Sequence, residues 1–91
     1  MSVYLDPEIS CIPAGRYRWS KVTHLFADTI EELHAFAARL GLHREWFQVS
    51  RSGLEHYDLN SWRRKAAVTL GAIQCTREEA VAKWRSKRHH G

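Results

Sequence analysis

Acidic and histidine side chains stand next to the ends of segments that the sequence predicts to be strands and helices. Asp6 directly follows the first β-prone run, and Asp28 directly follows the second. Just before a predicted helix come His56, Tyr57 and Asp58. Ligands of open α/β sheets bind outside the carboxyl ends of the strands. If the first two strands are parallel neighbours, these five side chains lie at one edge of the sheet.

Two carboxylates with a histidine nearby can hold a divalent metal or perform general acid–base chemistry. In a hydrolase or nuclease hypothesis, Asp6, Asp28 and Asp58 bind the metal and His56 is the general base. Structural roles compete with this one, because Asp28 or Asp58 can cap a helix and Asp6 can end a strand. Outside that hypothesis the sequence assigns no metal ligand, no catalytic residue and no cofactor.

Four further polar residues complete the candidate ligand-binding set. His34 lies at the boundary of the apolar stripe of the first predicted helix, and Gln48 lies at the end of a predicted short strand. Arg63 and Arg64 fall in the first turn of the second helix, where positive charge opposes the macrodipole. An anionic ligand would compensate that charge, and so would the nearby acidic residues. This misfit indicates a phosphate-bearing partner.

The elements that must position these residues alternate between strands and helices. Hydrophobic patterning and turn residues predict strands near 3–5, 22–27, 46–48 and 72–75, and helices near 29–40, 60–70 and from 76 onward. A long loop is expected between the first two strands. The predicted fold class is α/β, with a three- to four-stranded, at least partly parallel sheet and about three helices. An α+β arrangement with an antiparallel edge strand is the alternative.

The net charge of +4 comes from 14 Lys and Arg against 10 Asp and Glu, and it is concentrated at the C-terminal end. The last nine residues contain Lys83, Arg85, Lys87 and Arg88 and no acid. This distribution predicts one α/β domain over 1–82 and a basic tail over 83–91 that contacts nucleic acid nonspecifically.

Hydrophobic residues at 44% and charged residues at 26% are typical of a folded domain, with no membrane segment, so we expect a cytoplasmic protein. The small size is also compatible with a homodimer.

Several short words of the sequence resemble those of a known family. They are V-Y-x-D at 3–6, A-D-T-x-E-E-L-H-x-F-A at 27–37 and H-Y-D at 56–58. Together they resemble a family of small proteins of unknown function found in bacteria and their phages. The resemblance extends over about 3–74, and it implies one domain and a bacterial or phage origin. It implies no mechanism.

Three functions remain open at this stage. The leading hypothesis is a binding protein that holds a nucleotide-like or other phosphate-bearing ligand at the carboxyl edge of its sheet. In it, Arg63, Arg64 and Arg16 face phosphate, while Gln48, His34 and Asp28 face polar ring or sugar groups. The metal-dependent hydrolase or nuclease is the second hypothesis. The third is a protein–protein interaction module that docks on a host or phage partner through the long loop, Trp84 and the tail.

Overall fold

The computed structural model describes residues 2–10 and 20–90, with side chains as far as residue 86. Most of the predicted long loop, including Arg16, therefore lies outside the described residues. The helices are α1 (Ile30–Arg39), α2 (Ser61–Thr69) and α3 (Arg77–His90), with a short 3-10 helix at Arg44–Trp46. The strands are β1 (Val3–Leu5), β2 (Ile9–Ser10), β3 (Lys21–Ala27), β4 (Gln48–Val49), β5 (Glu55–Leu59) and β6 (Ile73–Gln74).

The sheet is mixed and has the strand order β4-β5-β3-β1-β6, with β2 also paired to β3. β3 is antiparallel to both β1 and β5, and β6 is parallel to β1. The strands β1, β5 and β6 therefore run in one direction and end at the same edge, which we call the carboxyl edge. The α/β class with three helices is confirmed. The sheet has six strands rather than three or four, and β2, β4 and β6 have only two residues each.

β1 and β2 both pair with β3, and the ladder is interrupted between them. Leu5 pairs with Leu25 and Ile9 pairs with Val22, so three residues on one side oppose two on the other. This is a β-bulge, and Pro7 suits it because proline has no N–H to donate to the ladder. The bulge brings the Asp6 side chain against the backbone of β3.

The two faces of the sheet carry different helices because side chains alternate along the strands. One face packs against α1 and α2 through a core that includes Leu5, Leu25, Tyr57 and Leu59. The other face lies under α3 and carries Tyr4, Phe26 and Leu54, with Ala80 and Trp84 packed on them. His24, His56 and Asp58 occupy alternate strand positions and belong to this second face. The candidate site therefore lies on the α3 side.

The helix starts follow the capping signals of the sequence. Thr29 caps α1, and its hydroxyl accepts the Glu32 N–H at 3.2 Å. Thr76 and Glu79 form the predicted reciprocal capping box at the start of α3, with hydrogen bonds of 2.8 and 3.1 Å. Asn60 caps α2, so capping does not account for Asp58. None of the described helices combines the length and the apolar character that a membrane span requires.

Candidate metal centre

Three ligand-type side chains converge on the sheet face under α3. His24 comes from β3, whereas His56 and Asp58 lie two residues apart on the neighbouring strand β5. The Asp58 Oδ1 atom lies 3.4 Å from His56 Nε2 and 3.7 Å from His24 Nε2. All three ligand atoms lie within 4.8 Å of one another. The pairing of two antiparallel strands thus brings together two imidazoles and one carboxylate.

The bulge residue Asp6 fixes the orientation of the His24 ring. Its Oδ2 atom accepts a hydrogen bond from His24 Nδ1 at 2.7 Å, and its Oδ1 atom accepts the His24 backbone N–H at 2.7 Å. The carboxylate therefore takes the place of a ladder carbonyl, and both of its oxygens are engaged by one residue. Such carboxylate–histidine pairs are the usual outer support of metal-bound histidines.

The other two side chains have comparable supports. The carbonyl oxygen of Leu54 accepts a hydrogen bond from His56 Nδ1 at 2.9 Å. The Gln48 side-chain amide donates to Asp58 Oδ2 at 2.9 Å. Because Asp6 and the Leu54 carbonyl only accept, each ring carries its proton on Nδ1 and turns the Nε2 lone pair toward Asp58 Oδ1. With both rings neutral, the two Nε2 lone pairs and Asp58 Oδ1 face one another and could share a divalent cation, whereas a protonated His24 pairs its Nε2–H with Asp58 instead.

The electrostatics of His24 favour a proton on this ring in the metal-free protein. The hydrogen bond to Asp6 raises the pKa of His24 above its ordinary value of 6.5, against the opposing effect of burial, and the negative charges of Asp6 and Asp58 raise this pKa further. The His56 side chain is 7% exposed and that of Asp58 is 12% exposed, whereas that of His24 is 28% exposed. His56 and Asp58 are therefore shielded from solvent, and solvent reaches the cluster beside His24.

Of the residues predicted from sequence, the structure brings together Asp6, Gln48, His56 and Asp58. The expectation that Asp28 joins Asp6 is wrong, because β1 and β3 are antiparallel and their ends lie at opposite edges. Asp28 instead accepts hydrogen bonds from the Ser2 N–H at 2.8 Å and from the Tyr4 hydroxyl at 3.0 Å.

His34 and Tyr57 meet on the opposite face of the sheet. The His34 Nδ1 atom lies 2.8 Å from the Tyr57 hydroxyl, and burial lowers the pKa of His34 and raises that of Tyr57. This pair joins α1 to β5 behind the metal face. Tyr57 thus belongs to the core side of the strand that carries His56 and Asp58.

The two predicted arginines lie on α2. The guanidinium carbon of Arg63 stands 5.3 Å from the centre of the Trp46 ring. Arg64 donates a hydrogen bond from Nη1 to Gln74 Oε1 at 3.3 Å. Neither residue touches the three ligand side chains in the described contacts, so any role with a phosphate concerns a neighbouring surface.

His24 is the site residue that the sequence analysis missed. It stands in the segment Val22 to Ala27, which was interpreted as a buried apolar strand. Two signals were present in the sequence: a histidine inside that strand, and the spacing of His56 and Asp58 by two residues, which places both on one face if the segment is a strand. The segment was instead predicted to lead into a helix, so the second signal was lost.

Two imidazoles and one carboxylate form a donor set that suits a borderline divalent ion such as Zn²⁺ or Fe²⁺ better than the hard ions Mg²⁺ and Ca²⁺. Catalytic zinc sites use three protein ligands of this kind and leave a further position for water or substrate. The outer contacts of Asp6, Leu54 and Gln48 match the support that such sites need. The residues present therefore fit a mononuclear metal centre.

The fold and the cluster together define a small α/β protein with a candidate metal centre on one face of a mixed sheet. A family model described as a protein of unknown function, DUF4031, matches residues 3–87. The chain therefore belongs to this family, and the match continues past residue 74 into α3. Neither the curated proteins nor the solved structures gave a match. A bacterial or phage origin stays a prediction.

Proposed function

We propose that this protein is a metal-dependent hydrolase whose metal ion is held by His24, His56 and Asp58. The observation that carries the proposal is the convergence of two Nε2 lone pairs and one carboxylate oxygen within 4.8 Å of one another. Each of these groups is held by a second contact on its far side. These outer contacts direct the two Nε2 atoms and the carboxylate oxygen toward one another, as a shared metal ion would need.

The metal would supply a water molecule acidified to a pKa of ~7, as mononuclear catalytic zinc sites do. The protein's own part is to keep both rings in the Nδ1–H tautomer and to leave the His24 side open to solvent. Asp6 acts as a positioning residue, because both of its oxygens are engaged by His24. This proposal differs from the hydrolase hypothesis from sequence, in which Asp6, Asp28 and Asp58 were metal ligands and His56 was the base.

Metal binding is tested by isothermal titration of the chelator-treated protein with Zn²⁺, Co²⁺ and Mg²⁺. We expect one equivalent of Zn²⁺ or Co²⁺ to bind and Mg²⁺ to bind far more weakly. His24→Ala, His56→Ala and Asp58→Asn should abolish stoichiometric binding. Asp6→Asn should weaken it by about 10- to 100-fold, the usual effect of losing an outer support.

Two variants serve as matched controls for that titration. His34→Ala and Asp28→Asn change the same residue types on the opposite face and at the opposite edge, and should bind Zn²⁺ as the original chain does. Circular dichroism confirms that each variant is folded. The proposal is wrong if the unmodified protein binds no Zn²⁺ stoichiometrically, or if the three ligand variants bind it normally.

Hydrolysis is tested on the metal-loaded protein with three chromogenic substrates: p-nitrophenyl phosphate, bis(p-nitrophenyl) phosphate and p-nitrophenyl acetate. We expect turnover of at least one substrate, its loss on chelation and its loss in Asp58→Asn. Stoichiometric metal binding without turnover of any of the three would contradict the hydrolase and leave a metal-binding protein.

A further inference from the structure

Trp84 lies beside the solvent-accessible side of the candidate metal centre. α3 places the fully buried Ala80 on the sheet, and Trp84 follows one helical turn later. The Trp84 ring centre lies 5.7 Å from that of Phe26 and 6.3 Å from that of His24, and its plane is nearly perpendicular to the His24 ring at 89°. Since solvent reaches the cluster beside His24, a molecule that binds there comes within reach of the Trp84 ring.

The indole N–H of Trp84 is buried and has no hydrogen-bond acceptor among the described residues. The ring packs on an apolar cluster that consists of Tyr4, Phe26, Leu54, Cys75 and Ala80. His24 is the polar ring beside it, and the two His24 nitrogens already face Asp6 and Asp58. Because buried N–H groups are almost always hydrogen-bonded in folded proteins, we expect this donor to meet an acceptor on a molecule bound at the His24 side.

The charges next to His24 are negative. The carboxylates of Asp6 and Asp58 both raise the pKa of His24. With both rings neutral, a divalent ion would balance these two carboxylates and leave the centre without net charge. Lys83 stands over the Tyr4 ring, with its Nζ atom 4.3 Å from the ring centre, so this cation is held over β1. The surroundings of His24 therefore do not favour a second anion.

These features favour one class of substrate over another. A phosphate ester is anionic, and its oxygens are usually held by arginine, lysine or metal clamps. An ester or amide of a carboxylic acid has no charge at its reacting group and needs a hydrogen-bond donor where negative charge develops on its oxygen. An indole N–H is a donor only and is uncharged. Trp84 therefore suits a carbonyl oxygen.

We propose that the substrate of the metal centre is an uncharged carboxylic ester or amide, and that Trp84 Nε1 donates a hydrogen bond to its carbonyl oxygen. The substrate assignment rests on the proposed hydrolase function, whereas the Trp84 contact can be measured without turnover. In the reaction, a water oxygen bonds to the carbonyl carbon, and the C=O electron pair moves onto the oxygen beside Trp84. When the C=O bond forms again, the bond to the alcohol or amine breaks, and this leaving group takes up the proton that the water gives up.

Binding is tested on the Co²⁺-loaded protein, because its visible absorption changes when a ligand binds the metal. The probes are acetohydroxamic acid, which has a carbonyl oxygen, and inorganic phosphate. Trp84→Phe keeps an aromatic ring and removes the N–H. It should weaken binding of acetohydroxamic acid by about tenfold, the effect of losing one hydrogen bond, and leave the Co²⁺ stoichiometry and the phosphate affinity unchanged.

Trp62→Phe is the matched control for this substitution. Trp62 is 80% exposed on α2, which packs on the opposite face of the sheet. This variant should bind both probes as the unmodified protein does. Circular dichroism confirms that each variant is folded.

Kinetics on the metal-loaded protein test the substrate class. We expect turnover of p-nitrophenyl acetate and no turnover of p-nitrophenyl phosphate or bis(p-nitrophenyl) phosphate. Trp84→Phe should lower kcat for the acetate by about 100-fold with little change in KM, because the donor acts mainly on the charge that develops in the transition state. If Trp84→Phe does not fold, the choice between acetate and phosphate esters by the unmodified protein still decides the substrate class.

Failure of this proposal and failure of the hydrolase give different results. A protein that binds no Co²⁺ stoichiometrically contradicts the metal centre, and the proposal falls with it. Turnover of either phosphate ester keeps the hydrolase and overturns the proposal, as does a Trp84→Phe variant that behaves like Trp62→Phe. Weaker binding of acetohydroxamic acid in Trp84→Phe without turnover of any substrate supports the Trp84 contact and contradicts the hydrolase.

Discussion

The two ring nitrogens of His24 face different residues of the candidate metal centre. Its Nδ1 atom is held by Asp6 at 2.7 Å, and its Nε2 atom faces Asp58 at 3.7 Å. His24 is also the most exposed of the three ligands. In the proposed hydrolase, a substrate would therefore approach the metal beside the ligand whose orientation depends on the bulge residue.

The same ring predicts a pH dependence of stability in the metal-free protein. The hydrogen bond to Asp6 is the largest cause of the raised His24 pKa. The native state thus binds this proton more tightly than the unfolded chain, whose histidine pKa is about 6.5. The stabilising contribution is complete below the unfolded pKa and is lost as pH rises through the higher folded pKa.

Urea unfolding with chelator present, from about pH 5 to about pH 8, measures this contribution. The free energy of unfolding of the unmodified protein should fall across the upper part of that range more than that of Asp6→Asn. Asp28→Asn, which leaves His24 untouched, should follow the unmodified protein. Parallel curves for the unmodified protein and Asp6→Asn would exclude the predicted role of the Asp6–His24 contact.

At the residue scale, the sequence analysis selected most residues of the candidate metal centre but did not predict which of them lie together. Asp6, Gln48, His56 and Asp58 were selected because polar residues at strand ends and helix starts often contact ligands. Asp28 was included because strand direction decides which residues share an edge, and that direction depends on long-range pairing that local patterns do not contain. His24 was omitted because it lies inside a segment that was interpreted as a buried apolar strand.

Among the elements, local signals predicted the helices better than the strands. Capping residues identified the starts of α1 and α3, and the glycines at 41 and 71 follow the helix ends with positive φ of 77° and 106°. β5 was missed because the segment was predicted to lead into a helix, although His56, Tyr57, Asp58 and Leu59 alternate between polar and apolar side chains as a strand does.

The cap of α1 gives a prediction at this scale. Thr29→Ala removes the hydroxyl that accepts the Glu32 N–H, and should lower the free energy of unfolding by about 1 kcal/mol. Thr69→Ala is the matched control, because the Thr69 hydroxyl donates to the carbonyl of Lys65 within α2 and caps no helix start. Urea unfolding should show Thr69→Ala unchanged or slightly more stable. Equal losses in both variants would contradict the capping role.

For the whole molecule, α3 links the candidate metal face to the basic end of the chain. Trp84 packs on Phe26, with ring centres 5.7 Å apart, and its ring lies edge-on to His24 at 6.3 Å. Lys83 lies over the Tyr4 ring at 4.3 Å. These two residues of the predicted 83–91 tail therefore pack against the sheet, while the division of the chain into domain and tail stays a prediction.

Truncation after residue 86 tests the tail without removing Trp84. It deletes Lys87 and Arg88, so the salt slope of nonspecific binding to duplex DNA should fall by about two. Zn²⁺ affinity should not change, because His24, His56 and Asp58 remain supported. A truncated chain that binds duplex DNA with the original slope would show that the positive tail is not the contact surface.

The alternation of side chains along β5 also bears on the fidelity of folding. His56 and Asp58 face α3, whereas Tyr57 and Leu59 lie in the core under α1 and α2. A slip of β5 by one residue would turn Tyr57 to the metal face and carry both ligands into the apolar layer. An ion bound by His24, His56 and Asp58 recognises only the correct register and favours it by mass action. A bound metal would thus stabilise the native pairing of β5 with β3 relative to the pairing that is slipped by one residue.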